Sequence, residues 1–123
     1  MAGTHGNAIH VSNALTAVYL ATGQDTACVA ENSIGHFTVE KVDDGITWRL
    51  TLPSLTVGTV GGGTRLSQQQ QNLKLLGCSD GDEHSSRKLA EIIASAALGL
   101  EISLGSAIMS HTWTSAHMKY GRK

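Results

Sequence analysis

The sequence predicts an α+β fold in which helices pack with a β-hairpin. Three segments repeat apolar residues at helical spacing, and one pair of segments alternates apolar and polar residues on either side of a glycine-containing turn. Four glycines also fall within the seven residues 58–64. With 123 residues and 41% hydrophobic content, the chain can bury one core, so we expect a single domain over residues 1–123.

The first helix is predicted over residues 7–22. Gly23 stands where this helix should end, because glycine readily adopts the left-handed conformation of a helix C-terminus. The apolar positions that recur at helical spacing are Ile9, Ala14, Leu15, Ala17, Val18 and Tyr19.

A two-stranded hairpin follows. Residues 37–42 alternate loosely, Asp43-Asp44-Gly45 supplies the turn, and residues 46–52 alternate cleanly between apolar and polar side chains. Pro53 ends the second strand because it has no N–H for the ladder. The chain then leads into the glycine run.

Two more helices are expected in the second half. The first covers residues 65–76 and ends at Gly77, and the second runs to about Met109 with Ser85 or Ser86 as its N-cap. The second helix is apolar on nearly every face, which is typical of a buried helix. One hairpin and two helices cannot cover it completely, so we expect part of its surface to meet another chain or a missing segment of this one.

Composition excludes several function classes. Nine basic and ten acidic residues give a net charge of −1, which provides no electrostatic surface for nucleic acid or anionic lipid. Cys28 and Cys78 have no CxxC spacing and are expected to be buried thiols in a reducing compartment. The N-terminus lacks a signal-peptide pattern, and Glu91 and Glu101 interrupt the most apolar window, so we expect a cytoplasmic protein without a membrane span. No metal site is predicted.

The glycine run at residues 58–64 is the first candidate binding feature. Bare backbone lets a ligand approach main-chain N–H groups directly. The run lacks the GxGxxG order of a dinucleotide fingerprint and the Lys-Ser/Thr of a P-loop. On its own, it indicates a tight turn more often than a binding loop.

Several motifs together resemble the C-terminal end of hydroxymethylglutaryl-CoA reductases. They keep the family's order and near-spacing over essentially the whole chain, and the resemblance is closest to soluble prokaryotic forms that use NADPH. The motifs are Asn13, Thr22-Gly23-Gln24-Asp25, Leu52-Pro53-Ser54, residues 58–64, Leu75-Leu76-Gly77, Glu101-Ile102-Ser103-Leu104 and Ala116-His117-Met118-Lys119-Tyr120.

The resemblance implies the C-terminal portion of the large, substrate-binding domain, and a reduction of hydroxymethylglutaryl-CoA to mevalonate and CoA with two NADPH. Asp25 matches the family's buried carboxylate at the substrate carbonyl oxygen. Asn13 matches an amide in the same network, and its position one helix face before Asp25 predicts that it orients that carboxylate. His117 matches the histidine that protonates the departing CoA thiolate. By residue type alone, Asp25 would be a solvated turn carboxylate, and His10 and His111 would be as eligible as His117.

The binding residues follow from the same resemblance. Gly61, Gly62 and Gly63 match the glycines beside the nicotinamide, and Ser103 matches a serine near the acyl end of the substrate. His10 resembles an active-site neighbour. Leu104, Ala107 and Ile108 match the apolar wall on the CoA side, although apolar residues of a long helix are equally typical of a core.

Two functional classes remain open. The family's catalytic Lys and Glu, its opening substrate-binding segments and its small cofactor domain all match positions upstream of this sequence. The chain is therefore expected to be a fragment or split piece of an oxidoreductase, inactive without the remainder of the catalytic domain, and a homo-oligomer in its complete form. The alternative is a non-catalytic remnant or interaction module that keeps only the fold. Retention of Asn13, Asp25 and His117 together favours the enzyme.

Overall fold

The computed structural model describes residues 6–121 and confirms the α+β prediction. Two short 3₁₀ turns cover Thr26–Cys28 and Gly62–Arg65, and a π-helical turn covers His117–Gly121. The helices are α1 (Val11–Thr22), α2 (Val29–Asn32), α3 (Ser67–Leu75), α4 (Glu83–Met109) and α5 (Trp113–Ala116), and the strands are β1 (His36–Val42) and β2 (Gly45–Thr51).

Helix α1 is the centre of the fold. It begins at Val11 rather than at residue 7, and it ends as predicted at Gly23, whose φ of 74° is left-handed. Helices α3 and α4 both pack on it. The core is formed by their apolar side chains, chiefly Val11, Leu15, Tyr19, Leu73, Leu89, Ile93 and Ala97.

The hairpin is antiparallel, with a register that runs from His36 opposite Thr51 to Val42 opposite Gly45. Gly45 therefore belongs to β2, and the turn is only Asp43 and Asp44. On one face Phe37 stacks on Trp48 with ring centroids 5.7 Å apart. Helix α4 packs on β2, so this apolar face connects the hairpin to the helical core.

Helix α4 begins earlier than the sequence indicated. Its N-cap is Asp82, whose carboxylate accepts a hydrogen bond of 2.7 Å from the Ser85 N–H, so the prediction of Ser85 or Ser86 as the cap is wrong. Asp82 is a better cap because its negative charge also interacts favourably with the positive end of the helix dipole. The hydrogen bonds from Ser85 lower the pKa of Asp82.

Helix α4 buries one face, at Leu89, Ile93, Ala97 and Glu101. Its other faces are largely open in this chain, and Met109 is 77% exposed. By length and composition alone, Glu83–Met109 is also apolar enough to cross a membrane, with 17% of its most apolar window buried. The packing on α1 and the buried, hydrogen-bonded Glu101 show that one face of this helix belongs to the core.

We expect Gly63→Ala to destabilise the chain and Gly58→Ala to leave it nearly unchanged. A Cβ on Gly63 would lie 2.8 Å from the Gly23 carbonyl oxygen, whereas nothing lies within 4 Å of a Cβ on Gly58. Overpacking of this kind costs about 1–3 kcal/mol, which lowers the thermal midpoint by at least about 4 °C. Thermal unfolding followed by circular dichroism measures both variants. Equal midpoints for the two would show that the backbones of residues 23 and 63 do not meet.

Candidate active site

A surface pocket of about 530 Å³ lies at the C-terminal end of α1. Asp25 lines it together with Gly62 and Gly63, so the structure brings a predicted catalytic residue and two predicted cofactor-binding residues to one place. The remaining lining residues are Tyr19, Leu20, Gly23, Gln24, Thr26, Leu66 and Gln69.

The glycine loop is held against the end of α1 by two contacts. Gly23 and Gly63 approach so closely that a Cβ on either one would meet the backbone of the other at less than 3 Å. The Gln24 side chain also clamps Gly58, because its Nε2 donates to the Gly58 carbonyl and its Oε1 accepts from the Gly58 N–H, both at 2.8 Å. The pocket wall is therefore fixed from both sides.

The three predicted cofactor-binding positions require glycine for different structural reasons. Gly61 and Gly62 have φ of +84° and +51°, and nothing lies within 4 Å of a Cβ on either. They supply left-handed backbone and open space, which is what a close-fitting ligand needs. Residue 63 must be glycine because a Cβ there would meet the backbone of Gly23. Of the three, Gly62 both lines the pocket and leaves its surface bare.

Asp25 is exposed at the mouth of the pocket. Its carboxylate accepts a hydrogen bond of 3.0 Å from the Ala27 N–H and so caps the 3₁₀ turn that follows. Within residues 6–121 no lysine or arginine forms an ion pair with it. In the described part of the chain this carboxylate is exposed and not buried as predicted, because it faces the open pocket.

Asn13 and His10 lie at the opposite end of α1. From Asn13 to Thr22 is nine helical steps of about 1.5 Å, or about 14 Å along the axis, so the structure does not bring Asn13 to Asp25. Asn13 is exposed in the first turn, and His10 is half-buried beside it. The backbone N–H groups of His10 and Val11 donate to the Glu101 carboxylate of α4 at 2.5 and 3.0 Å.

The predicted substrate residues of α4 divide between two faces. Leu104 and Ala107 are half-buried and Ile108 is 48% exposed, and their i, i+3, i+4 spacing puts them on one stripe of the helix. This stripe could serve as an apolar wall. Ser103 is exposed and lies two residues from Glu101, which places it on a different face from the contact with α1.

His117 is exposed in the C-terminal π-helical turn. The centroids of the His117 and Trp113 rings are 4.2 Å apart. The Nδ1 atom of His117 lies 3.0 Å from the Trp113 carbonyl oxygen. A second pocket of about 480 Å³ lies beside it, lined by Trp113, Thr114, Met118 and Gly121 as well. The structure therefore keeps His117 out of the Asp25 pocket.

The chain matches one known protein family over almost its whole length. The family described as hydroxymethylglutaryl-coenzyme A reductase matches residues 1–122. The chain belongs to this reductase family. This match confirms the family resemblance that the motifs indicated.

Curated relatives of the same name agree with the family match. The chain is 46% identical to the 3-hydroxy-3-methylglutaryl-coenzyme A reductase of Aeropyrum pernix over 98% of its own length and 30% of the relative. It is 42% identical to the Methanocaldococcus jannaschii reductase over 92% of the chain and 27% of the relative. It is 44% identical to 3-hydroxy-3-methylglutaryl-coenzyme A reductase 1 of Arabidopsis thaliana over 92% of the chain and 20% of the relative. The chain thus spans less than a third of the length of these reductases.

The described residues offer no cluster of three or more His, Cys, Asp or Glu that could hold a metal ion. Cys78 is buried and Cys28 half-buried, and both are free thiols. Desolvation raises the pKa of both thiols, and the charge of Asp25 raises that of Cys28 further. Both therefore stay protonated near neutral pH, as expected of structural thiols in this reductase segment.

Sequence reasoning missed one buried polar network of the reductase segment. Asn32 donates through Nδ2 to the Tyr19 hydroxyl and to Thr56 Oγ1, both at 2.7 Å, and the Tyr19 hydroxyl donates to the Thr56 carbonyl at 2.8 Å. Desolvation raises the pKa of Tyr19, which keeps this donor protonated. The network anchors α2, and with it the turn after Asp25, to α1. Its members are too far apart in sequence to form a local motif.

Proposed function

We propose that this chain supplies part of the active site of an enzyme that reduces hydroxymethylglutaryl-CoA to mevalonate and CoA with two NADPH. The observation that carries the proposal is the shared pocket of Asp25, Gly62 and Gly63 in a member of the reductase family. The residues belong to motifs far apart in sequence, and the fold packs them together at the end of α1.

Asp25 is assigned to the network that handles the substrate carbonyl oxygen. Reduction puts negative charge on that oxygen, and a carboxylate alone would repel it. Asp25 therefore needs a cation or proton donor between itself and the oxygen. We propose that the family's Lys and Glu, carried by polypeptide outside residues 1–123, fill this role, because no lysine or arginine of residues 6–121 pairs with Asp25.

Gly62 and its neighbours are assigned to the nicotinamide end of NADPH, which supplies the hydride. The fit is supported by the open space above Gly62 and by a backbone locked through the Gly23–Gly63 contact. A backbone surface that is already fixed can bind a flat ring closely, because no loop has to be ordered when the ligand binds.

His117 is assigned to protonation of the CoA thiolate. A carbonyl oxygen only accepts, so the contact with Trp113 puts a proton on Nδ1 and leaves Nε2 as the nitrogen that exchanges a proton with a ligand. In the described structure His117 lies outside the Asp25 pocket. We propose that the C-terminal turn moves onto the pocket when the enzyme is complete, as mobile segments of active sites do.

The substrate body is assigned to α4 and the start of α1. The stripe of Leu104, Ala107 and Ile108 would contact the CoA side, and His10, Asn13 and Ser103 the acyl end. We further propose a cytoplasmic homo-oligomer. A non-catalytic interaction module is the second candidate, favoured by the open apolar faces of α4 and by the separation of His117 from Asp25.

The chain alone is expected to be catalytically silent, and a chimera is expected to be active. In this Aeropyrum chimera, residues 1–122 replace the matching segment of the Aeropyrum pernix reductase, which is 46% identical. The isolated chain lacks the proposed Lys and Glu, and each such group contributes on the order of a hundredfold to rate. The activity of both proteins is measured as the rate of NADPH oxidation in the presence of hydroxymethylglutaryl-CoA. A folded but inactive chimera would favour the interaction module, and steady turnover by the isolated chain would refute the need for the remainder.

A further inference from the structure

Glu101 carries a charge within the buried face of an apolar helix. It is 3% exposed, and its Oε1 accepts from the backbone N–H groups of His10 at 2.5 Å and of Val11 at 3.0 Å. These two residues are about ninety positions away in sequence. A buried carboxylate is costly unless its oxygens are hydrogen-bonded, so this contact explains how α4 tolerates Glu101.

The contact also caps the N-terminus of α1. The N-cap of this helix is His10, which makes no capping hydrogen bond with its own side chain. Free N–H groups and the positive end of the helix dipole remain at this terminus, and both favour an anion. Glu101 supplies that anion from another helix. The first turn of α1 is therefore oriented by α4, and not by its own sequence.

A second observation at the same end of α1 points to ligand recognition. The Nδ1 atom of His10 is buried and has no hydrogen-bond partner among residues 6–121. A buried imidazole nitrogen without a partner is uncommon, because leaving it unpaired costs free energy. Asn13, one turn further along, presents an exposed amide. The exposed Asn13 amide is therefore the group beside the Glu101 contact that a ligand can reach, and the His10 ring lies next to it with one nitrogen unsatisfied.

We infer that Glu101 is a positioning residue, which acts through the start of α1 to place His10 and Asn13 for recognition of the acyl end of the substrate. The inference rests on the proposed function for the identity of that substrate. It does not extend to the proposed nicotinamide contact at Gly62, because the glycine loop lies beyond the other end of α1 and is held there by the Gln24 clamp and the Gly23–Gly63 contact. Loss of the Glu101 contact should therefore affect one subsite only.

Steady-state kinetics of the Aeropyrum chimera test this separation. Glu101→Ala should raise KM for hydroxymethylglutaryl-CoA at least about tenfold, since small misplacements of binding groups have large effects, and leave KM for NADPH within about twofold. Glu101→Gln keeps an acceptor oxygen and should restore KM for the thioester to within about threefold of wild type. Asp82→Ala is the control, because it removes an N-cap carboxylate from the far end of the same helix and should change neither KM.

Backbone hydrogen exchange on the isolated chain tests the contact without any catalysis. Glu101→Ala should speed exchange of the Val11 amide at least about tenfold, while the Gly58 amide, held by Gln24, keeps its protection. If Glu101→Ala prevents folding, Glu101→Asp replaces it in both experiments, because it keeps the charge but shortens the reach.

Specific outcomes would overturn the inference. Equal rises in both KM values, or unchanged KM values in a folded Glu101 variant, would show that the residue serves stability alone. Equal loss of protection at Val11 and Gly58 would show the same. An inactive wild-type chimera would refute the proposed function separately, and the exchange result would then decide whether Glu101 positions the start of α1.

Discussion

Asp25→Asn is expected to abolish both reductive steps in the Aeropyrum chimera. Each hydride transfer builds negative charge on the same substrate oxygen, so both depend on the network to which Asp25 is assigned. Loss of one group from such a network lowers kcat on the order of a hundredfold or more. Reduction of hydroxymethylglutaryl-CoA and of free mevaldehyde, measured separately, should fall together.

The substitution is suited to the test because the fold should survive it. An asparagine oxygen can still accept the hydrogen bond from the Ala27 N–H, so the 3₁₀ turn keeps its cap. Asp43→Asn is the matched control, since Asp43 is an exposed carboxylate in the hairpin turn. Retention of near-normal rates by a folded Asp25→Asn chimera would return Asp25 to the class of solvated turn residues.

His117→Gln is expected to separate the two steps. The assigned role of His117 is confined to the departing thiolate, so the overall reaction should fall about a hundredfold or more, while free mevaldehyde is reduced within about threefold of the normal rate. The same two assays measure this variant, and circular dichroism checks its fold.

His84→Gln controls for the loss of an exposed imidazole, because His84 lies in the first turn of α4. It should leave both rates unchanged. If His117→Gln and Asp25→Asn reduce both half-reactions to the same degree, the separate roles assigned to the two residues are wrong.

Local patterns predicted most of the fold because most of its elements follow local rules. The alternation in residues 46–52 fixed the hairpin, and Gly23 and Gly77 both occupy the left-handed positions that end helices α1 and α3. The sequence pattern predicts the start of α1 four residues too early, because the Glu101 carboxylate of another helix holds the N–H groups where α1 begins. The local pattern predicts no element for residues 26–32, since this short stretch is held by the distant partners of Asn32.

The candidate site was less accessible to sequence reasoning. Motif resemblance named Asp25 and Gly62, but only packing shows that they line one pocket. Helical spacing was also misleading for Asn13, because a full helix separates it from Asp25. In the sequence, Glu101 belongs to a matching motif and interrupts an apolar window, but neither feature predicts its buried partner. A carboxylate in an apolar stripe needs a buried partner, and a search for that partner would have pointed to the end of α1.

The central claim is that the pocket of Asp25 and the glycine loop is where the substrate carbonyl meets the nicotinamide. The most direct test is a crystal structure of the Aeropyrum chimera with NADP⁺ and hydroxymethylglutaryl-CoA. We expect the nicotinamide ring against the Gly62–Gly63 backbone. The thioester oxygen should lie at a hydrogen-bond distance of roughly 2.6–3.2 Å from a donor that itself contacts the Asp25 carboxylate. A nicotinamide ring bound elsewhere, with this pocket filled only by solvent, would contradict the claim.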